Sequence, residues 1–307
     1  MMEAINYFHI DNYEVLVTYS DNNNLDKIDA LLKKNKIQYK KKKVAHIVYG
    51  VIPFLFSKHR HYRNIFIGYL YSESSIAIAY ILGSFRSKIY ILDDGVQILS
   101  FFSPYPRKMQ YKFKFKIVLF FYKLIGIIKL VKGPSFFTIF NVSSNKYEIT
   151  KNPLSLLKSK SKEYNKTKGI YIIGTNSSKL DFKYYSYEEY LIALHKDVSY
   201  RYPNESIFYC PHRGDQNLKT IFSLCRQLNI TIFDTKISVE YDFIENNISP
   251  KLVIGFTSNA LYTLSLIYPN AIIETVMYSL NSENDNKEIQ IIRNRMMENG
   301  ITTVKVL

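Results

Sequence analysis

Lys88–Gln97 reads KIYILDDGVQ, and the way its two parts join decides the fold. Ile89, Tyr90, Ile91 and Leu92 form an unbroken apolar run without helical spacing, as expected of a strand buried on both faces. The strand then stops at two adjacent carboxylates and a glycine. Working outward, EVLVTYS (Glu14–Ser20) and NIFIGYL (Asn64–Leu70) read as further strands. LDKIDALLKKN (Leu25–Asn35) sets Leu25, Ile28, Leu31 and Leu32 at helical spacing, and ESSIAIAYILGSF (Glu73–Phe85) reads as a second helix. Strands alternating with helices predict an α/β fold with a parallel sheet. Such sheets bind ligands outside the carboxyl ends of their strands, where Asp93, Asp94 and Gly95 fall.

A second alternation begins after Lys151–Lys168, KNPLSLLKSKSKEYNKTK, whose Lys, Ser, Asn and Pro content marks a linker. GIYIIG (Gly169–Gly174), SIFYCPH (Ser206–His212) and KLVIGF (Lys251–Phe256) are strands. YSYEEYLIALHKDV (Tyr185–Val198) and NLKTIFSLCRQL (Asn217–Leu228) are helices between them, and TSNALYTLSLI follows the last strand. The expected organisation is two Rossmann-like α/β domains facing a central cleft, residues 1–155 and 168–307, with the linker at about 151–168. The C-terminal tail is expected to pack back on the first domain. A length of 307 residues fits two domains of about 150 each.

The formal charge is +15, from 41 Lys and Arg against 26 Asp and Glu. That excess favours polyanions, anionic membrane surfaces or phosphorylated substrates without choosing among them. Lys40–Lys43 is an unbroken basic run, and Tyr105–Gly133 mixes Lys with long apolar side chains. No nucleic-acid-binding signature accompanies them, so nucleic acid is not expected as a partner. Ile117–Val131 is interrupted by Lys123 and Lys129 and is shorter than the ~20 residues of a spanning helix. Its composition suits either an ordinary core helix or an interfacial one, which gives an expected location in the cytoplasm, with peripheral membrane contact open. MMEAINYFHIDNYE is acidic and lacks the apolar core of a secretory signal. Cys210 and Cys225 are too far apart for a metal or redox motif and too few for a disulfide framework.

Four stretches carry chemistry. In Asp93-Asp94-Gly95 the acids serve either as helix caps or, with a neighbour and burial raising the pKa, as a general base; Gly95 leaves room for a substrate. In YCPHRGD, Pro211, His212 and Arg213 leave a strand's carboxyl end, where Arg and His suit a phosphate. In GFTSNALYTL, Thr257 and Ser258 precede an apolar helix, as ordinary caps or as part of an anion site. In ISVEYDFIENN, Glu240 is either solvent-facing or a bidentate acceptor for two ribose hydroxyls. The four together are the equipment of a transferase acting on a nucleotide sugar. No Asp-x-Asp or Gly-x-Gly-x-x-Gly motif is present, so protein groups rather than a metal are expected to meet the phosphate charge, and no cofactor is expected. A non-catalytic anionic-polymer binder and a hydrolase with Ser258 as nucleophile are the other classes considered. The Gly-x-Ser-x-Gly elbow that would support the hydrolase is missing.

Asp-Asp-Gly, then Pro-His-Arg, then a Glu after Ile-x-Val, then a hydroxyl pair before an apolar helix: this order resembles the bacterial lipooligosaccharide sialyltransferases and polysialyltransferases. The resemblance implies a GT-B fold and metal-independent, inverting transfer of sialic acid from CMP-sialic acid to a surface glycan, with a lipid-linked acceptor. Donors carrying another CMP-activated acid, such as Kdo or legionaminic or pseudaminic acid, are the alternative. It further implies an acceptor-side first domain with Asp94 as base, supported by Asp93 and Gly95. The second domain would bind the CMP-sugar, with His212 contacting or protonating the leaving phosphate, Thr257 and Ser258 binding it, and Glu240 holding the ribose. Gly174, in GIYIIGTN, would be a point of close approach. The match is strongest over 169–267. Arg213 stands where relatives commonly carry Pro, and Thr257 where many carry Ser.

Overall fold

The computed structural model describes residues 1–19, 25–43, 62–68, 73–93, 97–102, 124, 132–161, 169–176, 186–212, 214–215, 217–256, 258–277 and 283–304. The chain divides into two compact units, Met1–Pro153 and Leu154–Leu307.

In the first unit, α1 (Met2–Tyr7), β1 (Val15–Tyr19), α2 (Leu25–Lys34) and β2 (Tyr39–Lys43) lead to β3 (Tyr62–Ile67), α3 (Glu73–Leu82) and β4 (Gly83–Leu92). Then come α4 (Gln97–Phe101), β5 (Lys132–Thr138) and β6 (Ile149–Lys151). β1 pairs in parallel with β2, while β3, β4, β5 and β6 form a parallel sheet in that order. Over Ile89–Leu92 both faces of β4 are apolar. Tyr90 and Leu92 pack with Phe137 and with Ala4 and Phe8 from the N-terminal helix and turn; Ile89 packs with Ile67 and with Ala79 of α3. The carboxyl end of this strand therefore emerges from a two-sided core.

Two local departures from expectation have physical causes. The helix expected to reach Phe85 stops at Leu82, because Gly83 breaks it and the chain enters β4 directly. The unbroken basic run at Lys40, which carries no strand pattern of its own, forms a strand: its backbone pairs with β1, while Lys40 meets Glu14 and Lys41 meets Asp29. Most of Tyr105–Gly133 lies outside the described residues. No helix among the described residues is long and apolar enough to cross a membrane.

The second unit begins with α5 (Ser155–Ser161), which occupies part of the stretch expected as linker, and continues through β7 (Ile170–Ile173), α6 (Tyr187–Arg201), β8 (Ile207–Cys210) and α7 (Leu218–Gln227). It is completed by β9 (Thr231–Ile232), α8 (Val239–Glu245), β10 (Leu252–Gly255), α9 (Asn259–Ile267), β11 (Ile272–Val276), α10 (Glu283–Met297) and β12 (Thr302–Val304). All six strands run parallel in the order β12-β11-β10-β7-β8-β9. This is the doubly wound arrangement, in which the order of strand addition reverses between β7 and β10 while every strand keeps the same direction.

Side-chain alternation supports both faces. Ile170, Ile172, Leu252, Ile254 and Val276 join Leu191, Leu194, Ile221 and Cys225 of α6 and α7 in one core. On the opposite face Tyr171 stacks on Phe208 with centroids 4.9 Å apart and meets Phe243 of α8 at 4.5 Å. The start of α6 is fixed by a reciprocal cap: Ser186 Oγ accepts from Glu189 N–H at 3.2 Å, and Glu189 Oε2 accepts from Ser186 N–H at 2.8 Å. Its end is tied to β11, since Arg201 donates to both carboxylate oxygens of Glu274 at 2.9 Å each. Both cysteines are buried free thiols, and burial pushes Cys225 up to about 11.

Candidate functional site

Because the six strands of the second unit are parallel, their carboxyl ends share one edge, and the sequence motifs fall there. β7 runs into Gly174, whose N–H donates to the Cys210 carbonyl at 2.8 Å. A Cβ at Gly174 would stand 2.6 Å from Tyr209 Oη and 2.8 Å from the Cys210 carbonyl oxygen. The close approach at Gly174 is thus to the neighbouring strand's own atoms. Tyr209 Oη in turn lies 3.0 Å from Tyr187 Oη in the core, where burial raises the pKa of both phenols.

β8 delivers the half-buried Pro211 and His212 to the same edge. The chain folds back at once, with Asp215 N–H donating to the His212 carbonyl at 3.0 Å. Gly214 N–H donates to His212 Nδ1 at 3.1 Å. A ring nitrogen that accepts carries no proton, so this contact assigns the neutral ring's proton to Nε2. Asp215 is buried, and its Oδ1 accepts from Asn217 N–H at 2.9 Å just ahead of α7. Sequence reading singled out Pro211, His212 and Arg213 but missed the roles of Gly214 and Asp215 in holding the turn. The signal was the Gly-Asp pair three residues before a helix starts at Leu218.

β10 ends at Gly255, and Ser258 caps α9: its Oγ accepts from Ala260 N–H at 3.3 Å, which leaves the hydroxyl proton available to a ligand. Glu240 lies in the first turn of α8, in the connection that leaves the carboxyl end of β9, behind a cap formed by Ser238 and Tyr241 N–H at 3.3 Å. The fold therefore gathers Gly174, Pro211, His212 and Ser258 along the edge around the reversal point, with Glu240 on a neighbouring connection. Arg213 and Thr257 lie outside the described residues.

In the first unit Asp93 closes β4. Its Oδ2 accepts from Ile139 N–H at 2.7 Å, just beyond the end of β5, whereas Oδ1 is enclosed without a hydrogen-bond partner. Burial pushes the carboxyl up to about 6, against the opposing pull of hydrogen bonds from Thr138 and Ile139. Asp93 is thus tied into the sheet edge and is a weaker acid than an exposed aspartate. Asp94 and Gly95 lie outside the described residues.

No protein-family model matches the sequence, and no curated protein matches it. Solved structures match the fold. The α/β-galactoside α-2,3-sialyltransferase of the luminous marine bacterium Photobacterium phosphoreum aligns over 94% of this chain and 97% of that one, with a TM-score of 0.50 and 12% identity. The GT-B domain of a sialyltransferase from Photobacterium damselae aligns over 98% of this chain and 92% of that one, with a TM-score of 0.51 and 13% identity. At such identities the likeness is one of fold: the chain has the α/β architecture of GT-B glycosyltransferases.

Proposed function

We propose that this chain is a glycosyltransferase that moves sialic acid from CMP-sialic acid to a hydroxyl of a glycan, inverting the anomeric centre and requiring no metal ion. The observation that carries the reading is the placement of Gly174, Pro211, His212 and Ser258 on one carboxyl edge around the reversal of strand order, in a fold shared with two bacterial sialyltransferases. That is where doubly wound sheets hold nucleotides.

In this reading the phosphate of CMP lies against the start of α9. Ser258 Oγ, with its partner Thr257, donates to the phosphate, and the helix end favours the negative charge. His212 donates from Nε2. With Nδ1 already occupied by Gly214 N–H, the neutral ring stabilises the departing phosphate by a hydrogen bond rather than by surrendering a proton. Arg213 adds charge near the phosphate, and Glu240 takes the two ribose hydroxyls. Asp94 removes the proton from the acceptor hydroxyl as the bond to CMP breaks, while Asp93 anchors the strand end beside it. The acceptor is a bacterial surface glycan, which a lipid anchor would bring to the basic stretch Tyr105–Gly133.

The test is to incubate the protein with CMP-sialic acid and a panel of galactosyl and sialyl acceptors, with and without EDTA. The expected result is release of CMP and a sialylated product, unchanged by EDTA. Absence of transfer to every acceptor, or transfer abolished by chelation, would refute the proposal.

A further inference from the structure

Arg293 is a buried cation among the described residues whose burial the candidate site does not account for. It sits on α10 with 6% of its surface exposed, level with Ile292 and Met296, which are buried apolar residues on the same helix. Its only hydrogen bond among the described residues runs from Nη2 to the Val276 carbonyl at 3.2 Å. Nε is sealed from solvent and has no partner. The acid that might have neutralised it, Glu274, is two residues back on β11 and is already occupied by both arms of Arg201. Burial holds the Arg293 guanidinium below its usual range, and among the described residues no carboxylate opposes that effect. A buried guanidinium with spare donors and no counter-charge is strongly disfavoured unless something anionic completes it.

Its position suggests what that is. Val276 is the last residue of β11, and β11 runs parallel to β10 with Thr275 beside Gly255. Val276 is therefore level with Phe256, two residues before Ser258. We propose that Arg293 is an anion-binding residue at the carboxyl ends of β10 and β11, where its N–H fork pairs with an oxyanion of a bound ligand, a phosphate or a carboxylate. Arginine suits either group, because two parallel N–H bonds match two oxygens. Assigning the oxyanion to a CMP-sugar donor, which carries both a phosphate and a carboxylate, rests on the proposed function. The anion site itself does not.

The experiment compares the wild type with Arg293→Met and Arg293→Lys, titrated calorimetrically with cytidine, CMP, N-acetylneuraminate and inorganic phosphate, with urea unfolding of each unliganded protein alongside. Arg293→Met should weaken the anion that Arg293 holds by roughly 10- to 100-fold and leave cytidine unchanged. Loss confined to CMP and phosphate identifies the phosphate as the source, and loss confined to N-acetylneuraminate identifies the carboxylate. Arg293→Lys, which keeps the charge without the fork, should fall between. Removing an uncompensated buried charge should keep or raise the urea midpoint. Equal anion affinities in wild type and Arg293→Met, no anion binding by the wild type, or a lowered midpoint in Arg293→Met would each overturn the proposal. Phosphate binding that depends on Arg293, without any binding of cytidine or CMP, would leave the anion site standing and remove the CMP-sugar reading.

Discussion

Replacing Asp93 by Asn isolates the free energy held in one buried carboxyl. Its Oδ2 accepts from Ile139 N–H at 2.7 Å and its Oδ1 is enclosed without a partner, while burial raises the pKa from 3.8 to about 6. Two pH units at about 1.4 kcal/mol each give at most about 3 kcal/mol. The sign follows from proton binding: the folded chain holds this proton more tightly than the unfolded chain, so Asp93 favours folding most below pH 4. Its contribution declines as the pH rises from about 4 through about 6 and is lost above that. Asn keeps the shape and the acceptor for Ile139 and never ionises. The unfolding free energy of Asp93→Asn minus that of the wild type should therefore rise with pH by up to about 3 kcal/mol between pH 4 and 7. Taking the difference cancels every group the two proteins share. Urea unfolding followed by tyrosine fluorescence across that range measures it. A difference independent of pH, or one that falls as pH rises, would mean that Thr138, Ile139 and Lys151 stabilise the anion more than burial destabilises it.

Three further outcomes are expected. Asp94→Asn should lower transfer by roughly 10²- to 10⁴-fold while calorimetry finds CMP affinity unchanged; a normally active variant excludes the base role. His212→Ala should weaken CMP binding or slow release of the phosphate, and kinetics identical to wild type would remove His212 from the site. Gly174→Ala should destabilise the protein by about 1–3 kcal/mol, because its methyl would lie 2.6 Å from Tyr209 Oη and 2.8 Å from a backbone oxygen that cannot move aside; an unshifted urea midpoint contradicts that packing.

The strands that carry the site were legible because each is a short apolar run followed by a polar break, as at Leu92 to Asp93, Cys210 to His212 and Gly255 to Ser258. β2 was not legible, since YKKKK has neither alternation nor β-branching and owes its pairing to β1 and to the acids at Glu14 and Asp29. α5 was hidden by a composition rich in Lys and Ser, typical of a linker; it packs beside α8 and α9 instead. The tautomer of His212 depends on a backbone N–H from Gly214, which no motif encodes. Arg293 had a readable sign: Ile289, Ile292, Arg293 and Met296 share the helical stripe that faces the core, and a lone cation in such a stripe is conspicuous.

The strand order of the second unit also sets when the site can come into being as the chain is made. β7 enters early, yet its partner β10 follows only after two helices, two strands and a third helix, with Ile170 waiting for Leu252. Closing a loop of that length carries an entropic penalty of about 4 kcal/mol, recovered only once the middle of the sheet zips together. Nascent chains that end before Leu252 therefore hold the strand that leads to His212 but lack the β7–β10 junction beside which Ser258 is placed, so the proposed nucleotide binding would await completion of this half.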